Sequence, residues 1–267
     1  MTTTRPVIYV DARAVLKVDI GFEWAPGFAI SQRRLNVSRL HEGFLARFPD
    51  HQVLEISSAS SSSLGQRLSA TVLSGVDGST VEGIFQGSKV FAAPGALVGP
   101  FPGLYALRGR QAKGVFRSHL QDTATRVGAT VEQLSLDHFD FRGTQFGLSP
   151  EGAFYNWVYL KAVMATGNSG IERALTDGRF TAFTDIFFNP RAAYQSQAVA
   201  AAVYVALKTR FASEMPSFEH DFTLFSHVVY EDPAVLSFVS IHTKPQVERD
   251  NNQTAGLASG LAQAALF

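Results

Sequence analysis

Residues 80–92 read "TVEGIFQGSKVFA", and the rest of the chain is best read outward from them. Two charges, Glu82 and Lys89, stand seven positions apart in a run that otherwise carries none. Seven residues is close to two helical turns, so a helix over this run puts both side chains on one face with Gln86 between them. Their Cα atoms are then about 10 Å apart along the axis, and two long side chains leaning inward can grip one small group. Gly87 and Ser88 weaken such a helix, which points to something that approaches its backbone closely. An ordinary soluble helix with Glu, Gln and Lys on its wet side has the same spacing, so spacing alone leaves both readings open.

The surrounding chain is that of a globular protein: 267 residues, 46% hydrophobic and 17% charged, with 22 Phe as core material. The absence of cysteine excludes disulfides, thiolate zinc sites and a cysteine nucleophile, and fits a reducing compartment. The start, "MTTTRPVIYVDARAV", lacks a basic region followed by a long apolar run. The longest charge-free apolar stretch, residues 193–207, is interrupted by Gln195, Ser196 and Gln197 and is too short to cross a bilayer. The expectation is a soluble cytoplasmic protein without membrane contact, metal or cofactor.

Lys+Arg and Asp+Glu both number 23, so no global field draws in a polyanion and any nucleic-acid contact must be local. One local run exists. Between Glu82 and Asp122 there is no acid, while Arg108, Arg110, Lys113 and Arg117 cluster in "ALRGRQAKGVFRSHL". Arg108, Arg110 and Arg117 are the candidate contacts, although a solvated helix face reads the same way.

Residues 7–24 are rich in β-branched side chains and predict strands, closed by the turn "APG". Residues 31–48 predict a helix, with Ser31 as N-cap and Pro49 as the stop. "QVLEISSASSSSLGQRLSATVL" predicts a short strand entering a loop with six serines in residues 57–63. A flexible linker is disfavoured there, because the flanking elements are too small to form separate cores. A helix-rich segment follows over 104–130, then a helix from about Pro150, an aromatic run "RFTAFTDIFFNP", and a long helix over 191–210. Two or three strands are expected within 218–241, and "AGLASGLAQAALF" reads as a weak terminal helix.

"VEGIFQGSKVF" resembles the signature helix of the NADAR family, in which a Glu and a Lys seven positions apart frame a Gln. "LEISSASSSSLGQRLSA", "FQGSKVF", "FYNWVYLKAV" and "FTAFTDIFFNP" resemble, in order, the blocks of the NADAR subgroup that serves as antitoxin beside DarT-type DNA ADP-ribosyltransferases. The opening "GFEWAPGFAISQRRLNVSRLHEGF" is similar to that subgroup's first segment. Gly83 stands where the broader family usually has His.

The resemblance implies an α+β, helix-rich, single-domain NADAR fold with extra N-terminal strands over 1–267, a recognisable core at 54–207 and an unassigned extension at 211–267. It implies an N-glycoside hydrolase that removes ADP-ribose from guanine in DNA, with ADP-ribosylated DNA and a DarT-type toxin as partners. Cleavage builds positive charge at the anomeric carbon while the departing nitrogen needs a proton, which suits a carboxyl group, Glu82. Lys89 either donates to the ribose or base, or attacks the opened sugar as a neutral amine. The second role needs a lowered pKa, which Glu82 opposes unless Lys89 is strongly desolvated.

Substrate-binding candidates in the same blocks are Ser57, Ser58 and Ser69 for a diphosphate, Tyr155 and Trp157 for stacking, Asp185 for ribose hydroxyls, Asn189 for a base edge, and Gln86 between Glu82 and Lys89. Turn and core roles compete for these residues, above all for the serines, for one of the two aromatics and for Asn189 before Pro190. Two further functions stay open: hydrolysis of a free ribosylamino-pyrimidine of riboflavin biosynthesis, and a non-catalytic module that binds ADP-ribose or the toxin. The basic run counts against the first, and the presence of both Glu82 and Lys89 counts against the second.

Overall fold

The computed structural model describes residues 2–11, 14–75, 77–107, 111–189, 196–231 and 235. The β-branched N-terminal segment forms a hairpin of β1 (Thr2–Asp11) and β2 (Ala14–Glu23), paired from Thr2 with Glu23 to Asp11 with Ala14. α1 (Ile30–Leu45) lays Val37, Leu40 and Phe44 against Val7, Ile20 and Phe22 of that hairpin. Its cap is Ala29 rather than Ser31, which lies within the first turn. Gln32 explains the earlier start, because its side-chain Oε1 accepts from the Ala29 N–H at 3.1 Å and fixes the entering chain.

β3 (Val53–Glu55) runs into the serine-rich loop and α2 (Ser63–Arg67). The loop is built into the fold. Ser57 and Ser60 are buried, and their hydroxyls accept from the N–H groups of Ala59 and Ser62, closing tight turns.

α3 (Val81–Gly87) is shorter than the sequence implies, and Lys89 opens β4 (Lys89–Ala93), where it pairs with Phe139. Glu82 and Lys89 therefore do not share a helix face. The cause is distant in sequence: the Gly87 carbonyl accepts from Phe101 N at 2.6 Å. A Cβ on Gly87 would fall 2.6 Å from the Tyr105 ring and 2.9 Å from the Phe101 carbonyl. The close approach that the glycine permits is thus by residues 101–105 of the same chain. Every residue of α3 is buried, which also removes the reading of a wet-faced helix.

β5 (Ala96–Val98), α4 (Gln111–Arg126), β6 (Ser135–Phe141) and β7 (Thr144–Phe146) complete a second sheet in the antiparallel order β5-β4-β6-β7. α4 covers it through Phe116, Leu120 and Ala124. α5 (Ala153–Met164), buried at all but two positions, and α7 (Gln197–Arg210) form the centre of the largest core, as helices apolar all round must. Between them lie α6 (Ser169–Thr176) and β8 (Ala182–Thr184); β8 joins the first sheet, order β2-β1-β8-β3, antiparallel to β1 and parallel to β3.

The strands expected beyond residue 218 are replaced by α8 (Met215–His220) and α9 (Phe222–Tyr230). Asp221 caps α9, its Oδ1 accepting from Leu224 N at 2.9 Å, and Phe218, Phe225 and Val229 turn to the core at helical intervals. Both helices dock on α5: Trp157 Nε1 donates to the Phe218 carbonyl and Asn156 Nδ2 to the Tyr230 hydroxyl, each at 2.9 Å. The expected terminal helix, and all of 231–241 except Glu231 and Val235, lie outside the described residues. So does the start of the helix expected from residue 191; α7 as described begins at Gln197. The architecture is the helix-rich mixed α/β single domain expected from the sequence. Among the described residues, no helix is long and apolar enough to cross a membrane, and no three His, Cys, Asp or Glu side chains group to hold a metal ion.

Candidate active site

A cavity of about 700 Å3 opens where α3, α4 and α5 meet the loops that follow β3 and β8. Its walls are graded in charge. Deep in it lie the buried residues Ser57, Ser69, Glu82, Gln86, Tyr155 and Asp185, while Lys113, Arg117, Ser58, Phe187 and Asn189 are exposed at its edge and Arg33 is half-buried. The fold thus brings together nine of the side chains singled out from sequence.

Glu82 sits in the first turn of α3, whose start is fixed by Thr80 Oγ1 accepting from Gly83 N at 3.0 Å. Gln86, one turn on, donates through Nε2 to Glu82 Oε1 at 3.0 Å, and Lys113 Nζ from α4 forms an ion pair with the same oxygen at 3.7 Å. The other amide atom, Gln86 Oε1, is buried without a hydrogen-bond partner. A buried acceptor left open in a cavity wall is a place for a donor, from water or from a ligand. Tyr155 packs edge-on to Phe85, with ring centroids 5.1 Å apart, so both rings line the space beside Glu82.

Lys89 does not line the cavity. It is 1% exposed, with Nζ 4.7 Å from the centre of the Phe85 ring and 5.2 Å from that of Phe116. Burial pushes its pKa down to about 7 against the opposing pull of Glu82, with Lys113 adding to the fall. The desolvation that a nucleophilic amine requires is therefore met, one ring behind the cavity wall.

Gln197, also in the lining, bridges two candidates. Its Oε1 accepts from Ser69 Oγ at 3.0 Å and Ala70 N at 2.5 Å, and its Nε2 donates to Asp185 Oδ2 at 2.8 Å. Behind Asp185 lies Glu55, whose Oε1 accepts from Ser57 Oγ at 2.5 Å and Ile186 N at 3.0 Å, and whose Oε2 accepts from Thr184 Oγ1 at 2.6 Å. Burial and the neighbouring Asp185 raise the pKa of Glu55 to about 7, and burial also raises that of Asp185. Ser57 therefore has its proton engaged by Glu55 while its oxygen accepts from Ala59 N, so both sides of the hydroxyl serve the loop.

Trp157 is not part of the site: its ring packs on Phe146 and Phe222, and its N–H is spent on the Phe218 carbonyl. Arg108 and Arg110 lie outside the described residues, so of the basic run only Lys113 and Arg117 are placed at the cavity. The departure at Gly83 has a steric account, since a Cβ there would fall 2.8 Å from the Leu104 carbonyl and 3.2 Å from that of Tyr105. A histidine cannot enter without moving that segment.

Sequence reasoning missed Glu55, Lys113 as the partner of Glu82, Arg33 and Gln197. Only Glu55 left a signal, an acid inside the apolar strand "VLEI". The other three are brought in from elements far along the chain.

Fold and site together define a mixed α/β protein with one side of its cavity floored by carboxyl groups and its entrance edged by cations. A family model described as DarT1-associated NADAR antitoxin matches residues 3–234, and the chain belongs to that family. No curated protein matches it.

Proposed function

We propose that this protein is an N-glycoside hydrolase that releases ADP-ribose from guanine in DNA and so reverses the modification made by a DarT-type toxin. The observation that carries the reading is a cavity-lining carboxyl, Glu82, near enough to the desolvated Lys89 to oppose the fall of its pKa to about 7. The family's description supplies the link to DarT1. The natural partners are then the ADP-ribosylated strand and the toxin.

The chemistry follows from the groups present. Opening of the distal ribose breaks the bond between C1 and the ring oxygen, which takes a proton, and leaves C1 doubly bonded to the base nitrogen with positive charge that Glu82 offsets. The neutral amine of Lys89 adds to C1; the base nitrogen takes a proton and departs, leaving C1 bonded to Lys89 as an imine. Water then adds to C1, the amine leaves, and ADP-ribose is released with no change in oxidation state. Glu82 carries the protons between these steps. Lys89 reaches C1 past the Phe85 ring, so that ring shifts when substrate binds. Gln86 Oε1 takes a ribose hydroxyl or base N–H, Asp185 takes ribose hydroxyls, and Ser58 with Arg33 and Arg117 holds the diphosphate.

The test is incubation with an oligonucleotide carrying ADP-ribosyl-guanine, with released ADP-ribose measured for the wild type and for Glu82→Gln. Release by the wild type and its loss in the variant are expected. Equal rates for both would remove Glu82 from the chemistry. Release from a free nucleoside adduct but never from the oligonucleotide would favour a metabolite substrate.

A further inference from the structure

Beside the cavity, the loop that joins β2 to α1 presents Phe28 to solvent at 94% exposure. The loop is not loose. Asn36, itself fully buried, accepts from Ala25 N at 2.7 Å and donates to the Ala25 carbonyl at 2.9 Å, and Gln32 holds Ala29 N at 3.1 Å. An exposed aromatic ring on a pinned loop is a prepared contact surface, because the ordering cost of the backbone is met before any partner arrives.

The neighbours of the ring indicate what it contacts. Arg33 places its guanidinium 5.9 Å from the Phe28 ring centre, 5.4 Å from Trp24 and 5.4 Å from Phe187. Arg33 and Phe187 are also cavity residues, and Lys113 and Arg117 stand exposed at the same mouth. Aromatic faces interleaved with cations, around an entrance that leads to carboxylates, suit a strand whose bases stack and whose phosphates need positive charge. An apolar protein surface docked there would strip these cations of water without pairing them.

We propose that Phe28, with Phe187 and Arg33, is a stacking platform for a nucleotide next to the modified guanine. It makes the preferred substrate single-stranded nucleic acid, whose bases are free to splay onto the ring. The inference rests on the DNA-directed reading of the cavity, but its test does not need turnover.

The experiment is fluorescence anisotropy of a labelled, unmodified single-stranded DNA 12-mer with the full chain and with Phe28→Ala, Phe28→Leu and Phe28→Trp. Stacking of one base contributes on the order of 1–3 kcal/mol, so the Ala variant should bind about tenfold more weakly. Leu keeps an apolar side chain but no π face and should be nearly as weak as Ala, whereas Trp should bind at least as tightly as wild type. Exposure of the ring makes misfolding of these variants irrelevant to the comparison. Equal affinity across the series, or Leu binding as Phe does, would overturn the platform and leave the ring to a protein partner. If the hydrolase reading alone is wrong, no variant releases ADP-ribose from the adducted oligonucleotide while the affinity order stands.

Discussion

At the floor of the cavity Glu82, Gln86 and Asp185 are 6%, 0% and 9% exposed, while at its mouth Lys113 and Arg117 are exposed and beside it Phe28 is 94% exposed. The two regions handle charge in opposite ways. Burial near the floor moves Lys89 down and Glu55 up until both titrate near pH 7, so protons can be exchanged there under ordinary conditions. The mouth keeps Lys113 and Arg117 exposed to water, which suits attraction and holding rather than bond making. Substitutions at the floor should therefore change rates, and substitutions at the mouth should change affinity.

The largest effect expected is at the floor. Glu82→Gln should lower ADP-ribose release by at least about a hundredfold, the usual scale of proton-transfer assistance, with an unchanged circular dichroism spectrum. A loss that appears in KM with kcat intact would instead make Glu82 a binding residue and break the contrast. At the mouth, Phe28→Ala should raise KM for an adducted single strand about tenfold, in step with the weaker binding expected for that variant. Arg117→Ala should do less: a weaker affinity together with a salt dependence flatter by about one unit of slope, if it holds one phosphate. An unchanged slope would make Arg117 a solvated side chain only.

Stability separates the regions in a second way. Lys89 binds its proton less readily when folded, so the unfolded chain holds more protons between about pH 7 and its ordinary value of 10.5. Its contribution is favourable above that window and is lost as pH falls through it. Glu55 runs the other way: its folded pKa of about 7 exceeds the ordinary 4.5, so stability is lost as pH rises from about 4.5 to about 7. Lys89→Met should therefore raise Tm at pH 7 by a few degrees, since an apolar chain of similar length replaces a buried amine, while activity disappears. Glu55→Gln should flatten the fall in Tm between pH 5 and 7. Neither change is expected from Arg117→Ala, and a comparable shift there would contradict the division.

How far the sequence revealed this arrangement depended on how local the cause was. The N-terminal hairpin was legible because alternation and β-branching act within the strand, and the serine loop was correctly seen as structural because its flanks were too small to separate. The end of α3 was not legible: what stops it is the contact of Gly87 with Phe101 and Tyr105, which no periodicity over 80–92 contains. In the same way Lys113 read as one cation in a basic run, since its approach to Glu82 is made only when α4 folds beside α3. In the last helices Val228, Val229 and Tyr230 favour strand locally, whereas the Asp221 cap and docking on Trp157 and Asn156 decide otherwise. Most of the candidates named from sequence nevertheless meet in one cavity, because the family-like blocks converge on it; Lys89 and Trp157 are the two described exceptions.

The central claim is that a buried lysine near neutrality and a cavity carboxyl serve one ribose, and reductive trapping tests it most directly. Borohydride added during turnover of the adducted oligonucleotide should fix ADP-ribose to the protein as a stable secondary amine. Peptide mass analysis should then place the label on Lys89, more of it as pH rises through about 7, and none should form with Lys89→Arg, which keeps the charge but not the nucleophile. Turnover without any trapped label, or a label on a peptide that lacks Lys89, would contradict the claim.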